Sequence, residues 1–320
     1  MNTQIKLAII AIAIVIPLAS LAVTQTNSPS NNSTNENSKL QVVASATFLY
    51  EFSQNIGKEM IDVTLLVPMG ADPHDWEPTI RDTERLQKAD MIIVNGIGYE
   101  HWLNSLELSD IAGILVDTSN GISTLDSANH DEEKHDDHAK EDGHDDEDNH
   151  NHGVLDPHIW LNPVFAQLQV KNIANALSNS DPTNKNYYQS NAAIYNQKLN
   201  LLDTKIRTEL SGCKTDFITF HDAFSYFSEE YGLTQHTIIS STDSHGDVTP
   251  KTLEHIISLA RELNIKVIFA EENTSTKISQ VIADEIGGKV LVLSPLEIVS
   301  DESYVEKMIQ NLDNLKDALC

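Results

Sequence analysis

The chain is short of positive charge. Twenty-one lysines and arginines stand against 48 aspartates and glutamates, a formal net charge of −27. Such a surface repels nucleic acid and anionic lipid and draws cations toward itself, so nucleic-acid binding is set aside. Motifs of common hydrolytic and nucleotide-dependent chemistry are also missing: there is no His-Glu-x-x-His, no Gly-x-Ser-x-Gly and no phosphate-cradling glycine loop. Cysteine is scarce, and none lies near the end of the apolar N-terminal run, which gives no support to a lipid-anchored start.

That run, LAIIAIAIVIPLASLAV, follows Lys6 and ends in small residues at Ser20 and Ala22. A positive start, an apolar stretch and small residues describe a secretory signal cleaved near Ala22. The run is slightly short for a membrane span and is interrupted by Pro17; an uncleaved anchor is the alternative for residues 1–24. Residues 25–39 are polar and without hydrophobic pattern, as in a linker. They carry overlapping glycosylation-type triplets at Asn31 and Asn32. Export permits a disulfide between the two cysteines, Cys213 and Cys320. The pair would tie the C-terminus to the start of the second half of the chain; two separate thiols are the other reading.

Residues 119–153 form a loop whose dense part, 130–152, holds eleven carboxylates, two lysines and six histidines: His130, His135, His138, His144, His150 and His152. No large apolar side chain is present to order it. Imidazoles at this density indicate transition-metal binding of low affinity. A loop without a core does not hold one defined geometry, so a specific site is expected elsewhere.

On both sides of this loop short β-type runs alternate with helical patterns: QVVASA (41–46), VTLLV (63–67), MIIV (91–94) and ILV (114–116), then FITF (217–220), HTIIS (236–240), VIFA (267–270) and VLVL (290–293). The alternation predicts an α/β fold, two βα lobes with parallel-type sheets. Between them, residues 184–211 contain neither glycine nor proline. Apolar residues there recur every three or four positions from Tyr188 to Leu210, which predicts one long linking helix. At about 1.5 Å per residue it would span about 42 Å. The lobes are expected at 40–183 and 212–320, with a metal cleft between them. Further helices are expected from Asn162–Pro163, from Thr249–Pro250, and over Ser303–Leu319.

Ligands of open α/β sheets gather beyond the carboxyl ends of strands. His74 follows VTLLV, His158 follows the acidic loop in DPHIWLNP, His221 directly follows FITF, and Glu297 follows VLVL. Three imidazoles and one carboxylate are a plausible tetrahedral zinc set. His74 and His158 share the triplet Asp-Pro-His, whose proline restricts the backbone before the ligand. His101, His236, His245 and His255 lack such context and are read as structural or surface residues. Trp76, Trp102 and Trp160 flank the ligand motifs and are expected to pack the cleft walls or the core.

The stretches PMGADPHDWEPTIRDTERLQKADMIIVNGIGYEHW, DPHIWLNP, FHDAFSYFSEEYGL and SPLEIVSDESYVEKMIQNLDNLKDAL together resemble the solute-binding proteins of ABC importers for zinc and manganese, especially the zinc-uptake branch. The resemblance covers nearly all of the chain after residue 40, and an acidic His-rich loop before the second ligand motif is typical of that branch. It implies His74, His158 and His221 as metal ligands. Glu297 is the matching fourth, with Asp301, Glu271, Glu272 or water as competitors. It also implies capture of Zn2+ as cargo by an extracytoplasmic monomer and delivery to an ABC-type membrane permease. Histidine rather than carboxylate at position 221 favours zinc over the harder manganese, which remains the nearest alternative. A secreted zinc hydrolase, with water in place of Glu297, is a further one, as is a metal-buffering or adhesive protein without a transporter.

Overall fold

The computed structural model describes residues 39–68, 71, 73–107, 109, 111–125, 155–239, 248–272 and 276–320. The expectations for the leader, the linker, the six loop histidines and His245 lie outside these residues. The fold is carried by two four-stranded parallel sheets. In the first, β1 (Leu40–Ala44), β2 (Ile61–Leu65), β3 (Met91–Val94) and β4 (Ile114–Asp117) run in the order β2-β1-β3-β4. In the second, β5 (Asp216–Thr219), β6 (Thr234–Thr237), β7 (Val267–Ala270) and β8 (Lys289–Val292) run β6-β5-β7-β8. The two orders are the same pattern used twice. The inner strands MIIV and VIFA are buried at every residue, as continuous apolar runs covered on both faces should be.

Eight α-helices complete the described residues: α1 (Thr47–Gly57), α2 (Ile80–Lys88), α3 (Pro163–Ser180), α4 (Lys185–Glu209), α5 (Ser225–Tyr231), α6 (Pro250–Glu262), α7 (Lys277–Ile286) and α8 (Tyr304–Leu319). Their starts follow local chemistry. The Asn162 side chain accepts from the Val164 N–H and Pro163 occupies the first turn of α3. Thr249 and Pro250 do the same for α6. Capping boxes, Thr79 with Asp82 and Ser303 with Glu306, open α2 and α8.

The linking helix is shorter than its pattern suggested, 25 residues rather than 28. Pro182 starts a separate 3-10 turn over 182–184, closed by the Asp181 carboxylate on the Asn184 N–H. Gly212, at φ 82°, follows its far end. Strands β2 and β6 begin two residues earlier than the apolar runs that announced them. Both ladders include polar pairs near their start, Asp62 with Gln41 just after Ile61 with Leu40, and Thr234 with Asp216. Leu66, Val67, Ile238 and Ile239 are buried just past the ladder. Apolar sequence there reports burial rather than strand pairing.

Helix α4 buries Tyr188, Ala192, Tyr195, Leu199, Leu202 and Ile206 along one stripe. It packs on α3 and α1 and, toward its end, on α8. One continuous apolar core results, running from Val42 and Phe52 in the first lobe through Leu199 to Phe217, Phe269 and Leu315 in the second. No helix among the described residues is long and apolar enough to cross a membrane. Cys213, just past α4, is bonded to Cys320 at the end of α8, with a Cα–Cα separation of 4.7 Å and 107 positions between them in sequence.

A cross-link closing so long a loop stabilises mainly by restricting the unfolded chain. Cys320→Ser is expected to remove about 3–5 kcal/mol of folding free energy. Thermal unfolding with and without reductant measures it: reduced wild type should match the variant, and a midpoint indifferent to both would deny the bridge a stabilising role.

Candidate metal centre

Every strand-end segment named above reaches the same place. His74 enters from the segment after β2, His158 from the turn before α3, His221 from the turn two residues past β5, and Glu297 from the segment after β8. One ring nitrogen from each of His74, His158 and His221 lies within 4.8 Å of the others, the one such group of metal-ligand type among the described residues. The rings stand 5.3–6.2 Å apart between centroids. Glu297 reaches two of the three: its Oε1 is 2.9 Å from His74 Nε2 and 3.5 Å from His158 Nε2. The side chains of His158 and His221 are fully buried, and those of His74 and Glu297 are 5% and 8% exposed.

Two further carboxylates stand behind the imidazoles. Asp156 Oδ1 accepts from the His158 backbone N–H and faces His158 Nδ1 at 2.7 Å. Glu271 Oε1 does the same for His221, with Nδ1 at 2.5 Å and the backbone N–H at 3.2 Å. A carboxylate against Nδ1 fixes the proton there and leaves Nε2 to face the cluster; the two Nε2 atoms are 3.4 Å apart. Glu271 thus supports a histidine from behind, which distinguishes it from Glu297. Glu272 instead accepts from Ser294 and pairs with Lys307, and Asp301 is exposed.

The electrostatics follow from this packing. Burial works against charge on His158, yet the Asp156 carboxylate and then Glu297 outweigh it and push the imidazole up to about 10. Burial likewise opposes ionisation of Glu297, but the His74 and His158 rings hold its carboxyl well below the usual range. Stability from the raised His158 is therefore fully present below its ordinary value near 6.5 and is lost as pH rises through about 10. The Glu297 contribution is present above the ordinary carboxylate value and is lost in acid. The other oxygen of Asp156 is buried without a hydrogen-bond partner. Three imidazole nitrogens within 4.8 Å of one another, with the Glu297 carboxylate against two of the rings, are a donor set that a divalent cation fits.

An outer frame holds the ligand turns. Glu100 is buried and accepts from the Ser45 hydroxyl at 2.6 Å and from the backbone N–H groups of Asn95 and Gly96. Burial raises its carboxyl to about 7 against those bonds. The loop it braces carries Tyr99, edge-on to His74 at 5.6 Å. Gly96 there, at φ 86°, has Asp117 where a Cβ would sit. Asn95 Nδ2 donates to the carbonyl of Pro157, the residue before His158. On the other side Gln235 Nε2 donates to the His221 carbonyl and to Thr219, and its Oε1 accepts from the Phe224 N–H.

Asp156, Glu271, Glu100, Asn95 and Gln235 were not singled out in these roles by sequence. The one available signal was the aspartate of Asp-Pro-His itself. The tryptophans divide: Trp160 is fully buried and stacks on Phe48 at 4.3 Å, while Trp76 and Trp102 meet edge to face. His236 pairs with Asp216 at 3.0 Å. His101 and His255 are exposed.

Residues 42–318 match the family described as zinc-uptake complex component A, periplasmic. The chain is 42% identical over 290 residues to the high-affinity zinc uptake system protein ZnuA of Bacillus subtilis (strain 168), covering 88% of each. It is 32% identical over 287 residues to the zinc-binding protein AdcA of Streptococcus pyogenes serotype M6, covering 87% of this chain and 56% of that longer one. The crystal structure of the metal-dependent lipoprotein YcdH from Bacillus subtilis superposes with a TM-score of 0.72 at 38% identity, over 88% of this chain and 99% of that one.

In 15N NMR the His158 ring should titrate near pH 10, and Asp156→Asn should bring that midpoint down. A wild-type midpoint near 6.5 would remove Asp156 as the group that holds the ring charged.

Proposed function

The chain belongs to the family of zinc-uptake complex component A, and on that premise we propose that it is the extracytoplasmic solute-binding protein of an ABC-type importer, capturing Zn2+ and delivering it to a membrane permease. The observation that carries this reading is the convergence of His74, His158 and His221 within 4.8 Å, with Glu297 against two of them. His74, His158, His221 and Glu297 are the proposed ligands. Imidazole nitrogen with one carboxylate suits zinc better than a hard, oxygen-seeking ion. Asp156 and Glu271 orient the His158 and His221 rings, and Glu297 supplies negative charge where the cation sits. No bond of the cargo other than coordination is made or broken. The protein acts as a monomer, its lobes divided at about residues 183 and 212. The N-terminal segment directs it out of the cell, and the histidines of residues 130–152 bind zinc weakly as an accessory to the tight site.

Ligation requires a neutral His158, whereas the metal-free ring keeps its proton to about 10. Zinc must displace that proton. This moves the pH dependence upward from the ordinary histidine range. Apparent affinity should climb about tenfold per pH unit between pH 7 and 9 for the one proton. Calorimetry in buffers of different ionisation enthalpy should record about one proton released per zinc at pH 8; none released would contradict the exchange.

Tight-site stoichiometry should remain one after deletion of residues 130–152, as counted by competition with a chelator. Loss of tight binding on deletion would transfer the site to the loop. His221→Ala should weaken tight zinc binding by at least about a hundredfold, the scale of losing one inner ligand rather than a supporting partner. An unchanged affinity would remove His221 from the metal.

A further inference from the structure

Glu297 sits on an unusual piece of backbone. Leu296, immediately before it, has φ 62°, the left-handed region that bulky side chains rarely occupy. The residue is nevertheless buried, at 4% exposure. A conformation of this kind persists only where the surroundings over-determine it, and here the restraints can be named. Upstream, Ser294 is gripped twice by Asn311 of α8: its N–H donates to Asn311 Oδ1 at 2.8 Å and its carbonyl accepts from Nδ2 at 2.7 Å. The next two carbonyls are held from the other lobe. Trp160 Nε1 donates to Pro295 O at 2.7 Å, and the Thr47 hydroxyl donates to Leu296 O at 2.9 Å. Downstream, the Tyr304 N–H donates to Glu51 of α1 at 2.6 Å.

Thr47 is the instructive member. It is the first residue of α1, a helix whose N-cap, Ala46, offers no side-chain hydrogen bond. A threonine hydroxyl at a helix start ordinarily serves its own backbone. This one reaches a carbonyl 249 positions away instead. The Leu296 N–H is also held, by Ser294 Oγ at 3.2 Å, but one side of the segment borders a cleft. Thr47, Phe48 and Leu296 line a cleft of about 870 Å³, with Ile298 to Lys307 along its side. The chain that follows Glu297 therefore borders open space, into which it can swing once the Leu296 carbonyl is released.

We infer that Thr47 is a positioning residue for the fourth metal ligand: its hydroxyl holds Leu296 in the left-handed conformation that turns the Glu297 carboxylate onto His74 and His158, and so sets how slowly the cargo leaves. The inference rests on the reading of Glu297 as a ligand. Losing the bond lets Leu296 relax toward a negative φ and carries the carboxylate toward the cleft. The three imidazoles stay in place, because none of their supports involves Thr47. The effect belongs in the dissociation rate and not in stoichiometry.

The test uses the full chain loaded with one Zn2+, with release into excess chelator followed by stopped flow. Thr47→Val removes the donor at nearly constant volume and should speed release about tenfold, the scale of one buried hydrogen bond. Thr47→Ser keeps the donor and should restore a rate close to wild type, which a mere packing defect would not allow. Glu297→Ala should speed release by more, and adding Thr47→Val to it should change nothing further, since no carboxylate remains to be positioned. If Glu297→Ala leaves both affinity and release unchanged, the ligand assignment itself fails. If Glu297→Ala weakens binding but Thr47→Val does not speed release, or does so equally with and without Glu297, the positioning role is overturned.

Discussion

The arrangement depends on a buried grouping of imidazoles and carboxylates whose charges must balance. His158 and His221 have no exposed side-chain surface, and Asp156, Glu271 and Glu297 stand against the rings with at most 8% exposure. An isolated carboxylate at such depth would be strongly unfavourable. It is tolerated because each has an imidazole on it, and because backbone N–H groups of His158 and His221 share the load of Asp156 and Glu271. The same contacts that make burial bearable also settle which nitrogen of each ring faces inward. Orientation and charge balance are one structural solution here.

Such precision needs a frame that does not breathe, and the apolar core supplies it. The cluster that contains Val42 and Phe52 also contains Phe217 and Phe269, with the stripe of the long helix between them. Trp160 lies at the join: its ring stacks on Phe48 of the first lobe, while its indole N–H holds a carbonyl of the segment leading to Glu297. Lobes sharing a core resist hinge motion, so exchange of cargo falls to local segments at the strand ends. Leu296 and residues 298–302, on either side of Glu297, border a cleft.

Much of this was readable in the sequence, for reasons specific to each element. The strands MIIV and VIFA announced themselves because an inner parallel strand is apolar throughout. Asn162–Pro163 and Thr249–Pro250 were legible because capping is a local matter of one side chain and the next two residues. His74, His158 and His221 stood out through their place after strands and the repeated Asp-Pro-His. What escaped was long-range. Glu271 is 50 positions from His221, Asn95 is 62 from Pro157, and Thr47 is 249 from Leu296; no periodicity connects such pairs. Glu271 was a rival for the metal on composition alone, because a carboxylate in front of a ring and one behind it look alike in sequence. The common strand order of the two sheets was hidden for a similar reason. Topology is set by crossover packing, and no repeated residues need mark it.

His158 sits between two of the buried carboxylates. Asp156 lies behind its ring and Glu297 in front. Between them the imidazole is pushed up to about 10. Glu297, pressed against His74 and His158, stays ionised through the whole neutral range. On the proposed ligand set, a cation and the His158 proton compete for the same ring nitrogen. Affinity is tempered by the proton that must leave. A carrier has to hold its cargo firmly and still give it up. Proton competition bears on both at once, weakening the hold and easing release together.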